Sequence, residues 1–107
     1  MKKQLPRTRN NHMEENSFAS ITKKYRRNEM LSQKNFGAAI CVAMNNFSLT
    51  PQAISLWENG SPGPSLEDLF RVYLNCSDWR KDWAIDSLVA RVPDVLARAE
   101  NGALVVK

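Results

Sequence analysis

Apolar residues along this chain recur at intervals of three and four, and polar residues suited to capping interrupt them. That rhythm predicts a succession of helices. From Ser17 onward, Phe18, Ile21 and Tyr25 share one face while Lys23, Lys24, Arg26 and Arg27 lie mostly elsewhere on the wheel, giving a first amphipathic helix that ends near Asn28. Leu31-Ser32-Gln33 reads as a fresh start with Ser32 as the cap. Phe36, Ile40, Ala43/Met44 and Phe47 follow at helical spacing, beside small residues Gly37, Ala38 and Ala39 that admit a close neighbour, and Asn45-Asn46 interrupt the run. Thr50-Pro51 opens a third helix, since threonine caps and proline at the first position lacks only an amide that would be unpaired anyway, and Gly60 closes it.

Ser61-Pro62-Gly63-Pro64 is a turn, after which Ser65 and Asp68 form a capping-box pattern ahead of Leu66, Leu69, Phe70 and Tyr73. A fifth helix starts at Ser77-Asp78 with Trp79 and Trp83 on one stripe and Ile85, Leu88 and Val92 on the next, and Pro93 breaks it before a short segment to Glu100. Asn101-Gly102 ends the ordered chain in this reading, and the longest strand-like run is Leu104-Val105-Val106. The expected fold is therefore all-α: a basic, flexible arm at 1–14, a core domain at 15–75, a helical extension at 76–100 that packs or dimerises, and a disordered tail at 101–107. Residues 1–14 carry Pro6 and almost no apolar periodicity, so nothing there offsets the entropy of ordering.

A chain of 107 residues, 43% hydrophobic, can bury one modest core. Apolar stretches such as Phe36 to Met44 fall far short of the roughly 20 residues needed to cross a bilayer, so no membrane association is expected. The polar residues Asn10, Asn11, His12, Glu14 and Glu15 stand where a signal peptide would be apolar, which points to the cytoplasm. Cys41 and Cys76 have neither Cys-x-x-Cys spacing nor neighbouring histidines and are read as buried thiols.

The net charge of +4 is unevenly distributed. Residues 1–34 hold nine Lys/Arg against three Glu, a balance of +6, and residues 35–107 hold six against eight Asp/Glu, a balance of −2. A concentrated positive end suits a polyanion, because cations that neutralise phosphates release condensed counterions. A solvated basic tail accounts for the same charge. With one histidine, His12, no glycine-rich phosphate loop, no cluster of metal-site spacing and no serine or cysteine beside a base, no catalytic residues, metal or cofactor are expected.

Ile54 and Trp57 are three residues apart and face the core together, leaving Gln52, Ser55, Leu56 and Asn59 toward solvent. Uncharged hydrogen-bonding groups near a helix N-terminus suit reading of base edges: a glutamine pairs bidentately with adenine and an apolar side chain meets a thymine methyl. The run Thr50-Pro51-Gln52-Ala53-Ile54-Ser55-Leu56-Trp57-Glu58-Asn59-Gly60, followed by Pro64-Ser65-Leu66, resembles the signature of the phage-repressor-like helix-turn-helix family, which includes the lambda repressor and Cro. The resemblance spans roughly residues 17 to 75. It implies a five-helix lambda-repressor-like domain whose Thr50–Glu58 helix enters the major groove of double-stranded DNA. Base-reading positions then fall on Thr50, Pro51, Gln52 and Leu56, with Ser55 adjacent, while Asn59 and Gln33 match backbone-contacting positions.

Lys34, Ser61, Lys23, Lys24 and Arg27 are further phosphate candidates, although the last three also suit a solvated helix face. Arg26 and Glu58 match a pair that forms an internal salt bridge. The arm at Lys2, Lys3, Arg7 and Arg9 resembles basic arms that wrap DNA in some relatives. One departure stands out: about seven more residues separate Gln33 from Thr50 than the family's short turn requires. They lengthen the second helix, loop out around Asn45 to Leu49, or shift its start to near Ala38, which would remove Gln33 from its family role. The expectation is a homodimeric transcriptional regulator or repressor of phage or mobile-element type, with recognition helices about 34 Å apart. Trp79 and Trp83 read first as core packing, with a dimer interface as the sharper alternative; the second functional reading is an antitoxin-like or other interaction module that docks a protein partner through them.

Overall fold

The computed structural model describes residues 17–45 and 49–107. The arm residues Lys2, Lys3, Arg7 and Arg9, and Phe47 in the second apolar run, lie outside them. The described residues form five helices, α1 (Phe18–Asn28), α2 (Gln33–Met44), α3 (Pro51–Glu58), α4 (Leu66–Asn75) and α5 (Trp79–Arg91), followed by strands β1 (Leu96–Arg98) and β2 (Leu104–Val106). None of these helices is long and apolar enough to cross a membrane.

Every helix begins on a side chain that accepts a backbone amide otherwise left unpaired. Ser17 accepts from Ser20, Ser32 from Asn35, Thr50 from Ala53, Ser65 from Asp68 and Asp78 from Arg80. The second helix therefore starts at Gln33 and not near Ala38. It runs unbroken for 12 residues to Asn45, which caps it in the left-handed conformation at φ 57°. Part of the length before Thr50 thus lies in a helix of just over three turns, and residues 46–48 of the alternative loop lie outside the described residues.

Trp83 on α5 is the centre of the core and is fully buried. Its ring stacks on Trp57 of α3 at 6.3 Å, meets Phe36 of α2 edge-on at 5.9 Å, and lies 6.0 Å from Phe18 of α1. The indole N–H donates to the Thr22 hydroxyl at 3.1 Å, both groups being buried. Ile40, Met44, Ile54, Leu69, Val72 and Leu88 fill the remaining interior. Trp79 is half-buried with its ring 5.4 Å from Phe36. Trp83 is thus the core residue that its first reading expects, and the alternative docking surface loses its Trp83 half, because an internal indole presents nothing to a partner.

Two glycines set close approaches. At Gly37 a Cβ would stand 3.3 Å from the Ile54 side chain, so the small residue lets α2 and α3 come together. Gly63 has φ 83°, and a Cβ there would fall 2.3 Å from the Phe18 ring, so this turn excludes any side chain.

The C-terminal region departs from the all-α expectation. Helix α5 ends at Arg91, and residues 96–98 pair antiparallel with 104–106, matching Leu96 with Val106, Ala97 with Val105 and Arg98 with Leu104. The segment 101–107 is therefore not a disordered tail, and 76–100 is helical only to Arg91. Asn101-Gly102 forms the hairpin turn: Gly102 has φ 91° and its amide donates to Ala99, while the Asn101 side chain accepts from the Ala103 amide. Strands of three residues are too short for alternation to be visible in sequence, and two isolated strands are marginal in water. Packing supplies what is missing, with Leu96 buried and Arg98 bonded to Asp86 at 2.6 Å and Asp82 at 2.5 Å on α5.

Asp86 also accepts from the Tyr25 hydroxyl at 2.6 Å, so the cluster joins α1, α5 and β1. Burial and the Asp86 hydrogen bond push the Tyr25 hydroxyl well above its ordinary range. Burial opposes the Arg98 charge, but the two aspartates outweigh it and hold the guanidinium above its usual value.

Removing the acceptor for Trp83 exposes the cost of an unpaired buried donor. Thr22→Val keeps the volume and loses the hydroxyl, and is expected to lower stability by about 1–3 kcal/mol. Urea denaturation measures this as a lower midpoint at unchanged slope. An unmoved midpoint would mean the indole N–H finds another acceptor.

A candidate nucleic-acid interface

Helix α3 has two unlike sides. Ile54 is fully buried and Trp57 nearly so, as their three-residue spacing requires. Thr50, Pro51, Gln52, Leu56 and Asn59 are all exposed, with Leu56 open over 60% of its surface, and Ser55 is half-buried between the two sides. The predicted base-reading residues therefore share one outer strip of a single short helix. A lone exposed leucine is ordinary on a protein surface. Here it stands one turn from Gln52, which places an apolar group and an amide side by side.

The ends of α3 are closed by its own residues. The Thr50 hydroxyl accepts from the Ala53 amide at 3.1 Å, and the Asn59 side chain donates to the Ser55 carbonyl at 2.7 Å. The chain reverses at Gly60, and the Ser61 amide donates to the Leu56 carbonyl at 3.0 Å. Arg91 donates to the Pro62 carbonyl at 2.8 Å and fastens the following turn to α5. Neither proline-turn carbonyl nor distant arginine announces this tie in the sequence, since 29 residues separate them.

Beneath this strip lies a three-residue polar knot. Arg26 of α1 grips Glu58 of α3 with two bonds, Nε to Oε2 at 2.5 Å and Nη2 to Oε1 at 2.9 Å, and donates a third to the Leu31 carbonyl at 3.1 Å. Gln33, at the start of α2, donates to Glu58 Oε1 at 3.3 Å. The expected Arg26/Glu58 salt bridge is thus present, with Glu58 only 4% exposed. Gln33 stands at the helix start that the resemblance requires, with its amide nitrogen turned to this carboxylate. Burial pushes the Glu58 carboxyl up, but hydrogen bonds from Arg26 and Gln33 and the charges of Arg26 and Lys23 outweigh it. The net shift is downward from the ordinary glutamate value.

The strip itself carries no cation: α3 reads PQAISLWE, and its one charge is the neutralised Glu58. Positive charge comes from its neighbours. Lys24, Arg27 and Lys34 are exposed and Lys23 is half-buried. Lys23 shares a groove with Asn59, Gly60 and Ser61, so two stretches of the phosphate candidates, one from α1 and one from the turn after α3, are brought together. Ser17 and Ser20 at the start of α1 line the same groove. Sequence reading did not single them out, and only the capping position of Ser17 could have flagged them. Lys24 instead stands 5.4 Å over the ring of its neighbour Tyr25. Among the described residues no group of three or more His, Cys, Asp or Glu could hold a metal ion. No protein-family model, curated protein or solved structure matches the chain.

Breaking the knot from the Arg26 side leaves a buried carboxylate without its counter-ion, with only the Gln33 amide donating to it. Arg26→Gln is expected to cost about 2–4 kcal/mol near neutral pH, below the full buried-pair figure because Arg26 keeps some solvent contact. In the parent chain the Glu58 contribution is present above the unfolded glutamate value of about 4.3 and is lost as pH falls through the lower folded value. The difference between parent and Arg26→Gln should therefore shrink on acidification, which urea denaturation at a series of pH values measures. A pH-independent difference would place the stabilisation elsewhere.

Proposed function

We propose that this chain is a sequence-specific double-stranded DNA-binding transcriptional regulator with a lambda-repressor-like domain, and that it lays α3 in the major groove and acts as a homodimer. The observation that carries this reading is the outer strip of α3, where Gln52 and Leu56 lie exposed on a helix whose opposite side is sealed by Ile54 and Trp57. Direct readout needs such a rod: narrow enough for a groove about 12 Å wide, and held so that its side chains reach base edges at a fixed angle. The knot of Arg26, Gln33 and Glu58 supports the second requirement by tying α3 to both preceding helices. Gln52 pairs with an adenine edge and Leu56 contacts a thymine methyl, while Thr50, Pro51 and Ser55 shape the approach.

Affinity comes from the flanks. Lys23 beside Ser61 and Asn59, with Arg27 and Lys34 exposed nearby in sequence, supplies contacts to phosphate that carry no base information. This division explains why a reading helix without cations is workable: positioning and specification are handled by different elements. The arm at Lys2, Lys3, Arg7 and Arg9 belongs to the same electrostatic term. The competing protein-docking role through Trp79 and Trp83 loses its anchor with Trp83 internal.

In vitro selection from random duplexes is expected to enrich a site with two-fold symmetry. On that site Gln52→Ala should lose about 10-fold or more and relax preference at particular bases, as befits a bidentate contact of about 1–3 kcal/mol. Lys23→Ala and Arg27→Ala should weaken all sequences alike and lower the salt slope by about 1 each. If no duplex is enriched, or if Gln52→Ala weakens every sequence equally, α3 does not read bases.

A further inference from the structure

Most arginines of the helices and the hairpin are neutralised where they stand. Arg26 meets Glu58, Arg71 meets Glu67 and Asp68, Arg80 meets Asp78, and Arg98 meets Asp82 and Asp86. Arg91, in the last turn of α5, makes no ion pair among the described residues. It bonds instead to a neutral group, with Nη2 donating to the Pro62 carbonyl at 2.8 Å. A guanidinium carries five N–H donors in a planar fork, so this bond occupies one and leaves four. The carbonyl orients the fork without cancelling its charge.

Pro62 lines the groove between the start of α1 and the turn after α3, where Lys23, Asn59 and Ser61 also meet. Of the groove's lining residues only Glu58 is acidic, and Arg26 already holds it. The turn is fixed at three points: the Ser61 amide donates to the Leu56 carbonyl, the Gly63 backbone abuts the Phe18 ring, and Arg91 holds Pro62. An element outside the Thr50–Gly60 run thus delivers an uncompensated cation to within one hydrogen bond of the groove. We propose that Arg91 contacts a backbone phosphate of double-stranded DNA, joining Lys23 beside the turn after α3. This contact rests on the duplex-binding reading given above, but not on base recognition by α3.

A phosphodiester fits what Arg91 offers. Its two unesterified oxygens accept parallel N–H bonds from a planar fork, while Lys23 adds a point charge. An arginine free in solvent loses rotamer freedom when a phosphate fixes it, and the Pro62 carbonyl has fixed this one beforehand. The charge is also placed where it is needed, since α3 itself carries no cation. Helix α5 then serves α3 twice: Trp83 stacks on Trp57 inside the core, and Arg91 anchors the adjoining turn to the phosphate chain. Sequence reading passes over Arg91 because 29 residues separate it from Pro62.

The test uses the full chain and a duplex of mixed sequence, so it needs no preferred site. Fluorescence anisotropy gives the affinity across a salt series from about 50 to 200 mM. Arg91→Met keeps the aliphatic stem and loses the charge. It should lower the slope of log affinity against log salt by about 1 and cost about 8-fold near 0.1 M salt. Arg91→Lys keeps the charge and should restore most of the slope. A purely structural tie behaves otherwise: because Asn59 and Ser61 are uncharged, displacing the turn lowers affinity by the same factor at every salt concentration. In the parent chain the Arg91 Nε–H signal should shift in NMR spectra as duplex is added. An unchanged slope in Arg91→Met, an equal loss of slope in Arg91→Lys, or an Nε–H signal that bound duplex leaves unmoved would each overturn the contact while duplex binding stands. The NMR arm decides the matter even where a variant fails to fold. Absence of binding to any duplex would overturn the functional reading and this contact with it, whereas the base preference of Gln52→Ala bears on α3 alone.

Discussion

The rest of the molecule depends on the burial of one indole. Helix α3 has eight residues, too few to persist as a helix in water, because nucleation costs more than so few hydrogen bonds return. Its helicity is a tertiary property: Trp57 and Ile54 must find apolar partners, and Trp83 lies under α3 to receive them. Full burial of such a side chain contributes roughly 1.5–3 kcal/mol, more than the cap at Thr50 supplies alone. Because Trp83 also meets Phe18 and Phe36, the same contact orients α3 against α1 and α2. The indole N–H would make this core costly were it unpaired, and the Thr22 hydroxyl removes that cost.

Apolar packing alone would allow α3 to roll about its axis, since hydrophobic attraction has no direction. Arg26, Gln33 and Glu58 supply direction. Two parallel bonds from a planar guanidinium to a carboxylate tolerate little rotation, and burying the carboxylate makes any misaligned alternative expensive. The knot contributes less to net stability than its bond count suggests, because desolvating Glu58 opposes it. What it fixes is the angle at which Gln52 and Leu56 face outward.

The hairpin extends the same economy to the far end of the chain. Arg98 reaches two aspartates on α5, and one of these also receives the Tyr25 hydroxyl, so β1 is bound to the helices through charge and hydrogen bonds as well as through Leu96. The strand farther from the helices, β2, is bound through β1 and through Leu104, which packs against the core. One strand is thereby committed to the body of the molecule, and among the described residues no third strand joins the other.

The helices were legible in the sequence because their determinants are local. Ser32, Thr50 and Ser65 each sit three residues before the amide they accept, and the apolar spacing of α1 and α5 predicts faces buried at Ile21, Trp83, Ile85 and Leu88, whereas α4 buries Leu69 and Val72 and leaves Leu66 exposed. The outward strip of α3 was legible for the same reason, since Ile54 and Trp57 on one side leave Gln52 and Leu56 on the other. Tertiary structure decided what depends on residues far apart in the chain. Asn101-Gly102 closes a hairpin instead of ending the fold because Leu96 is buried and Asp82 and Asp86 wait on α5. Trp83 is a core residue and not a docking surface because Phe18, Phe36 and Trp57 converge on it from three other helices. Spacing along a chain sets which side chains point the same way, but only the folded chain sets what stands opposite them, and burial depends on the latter.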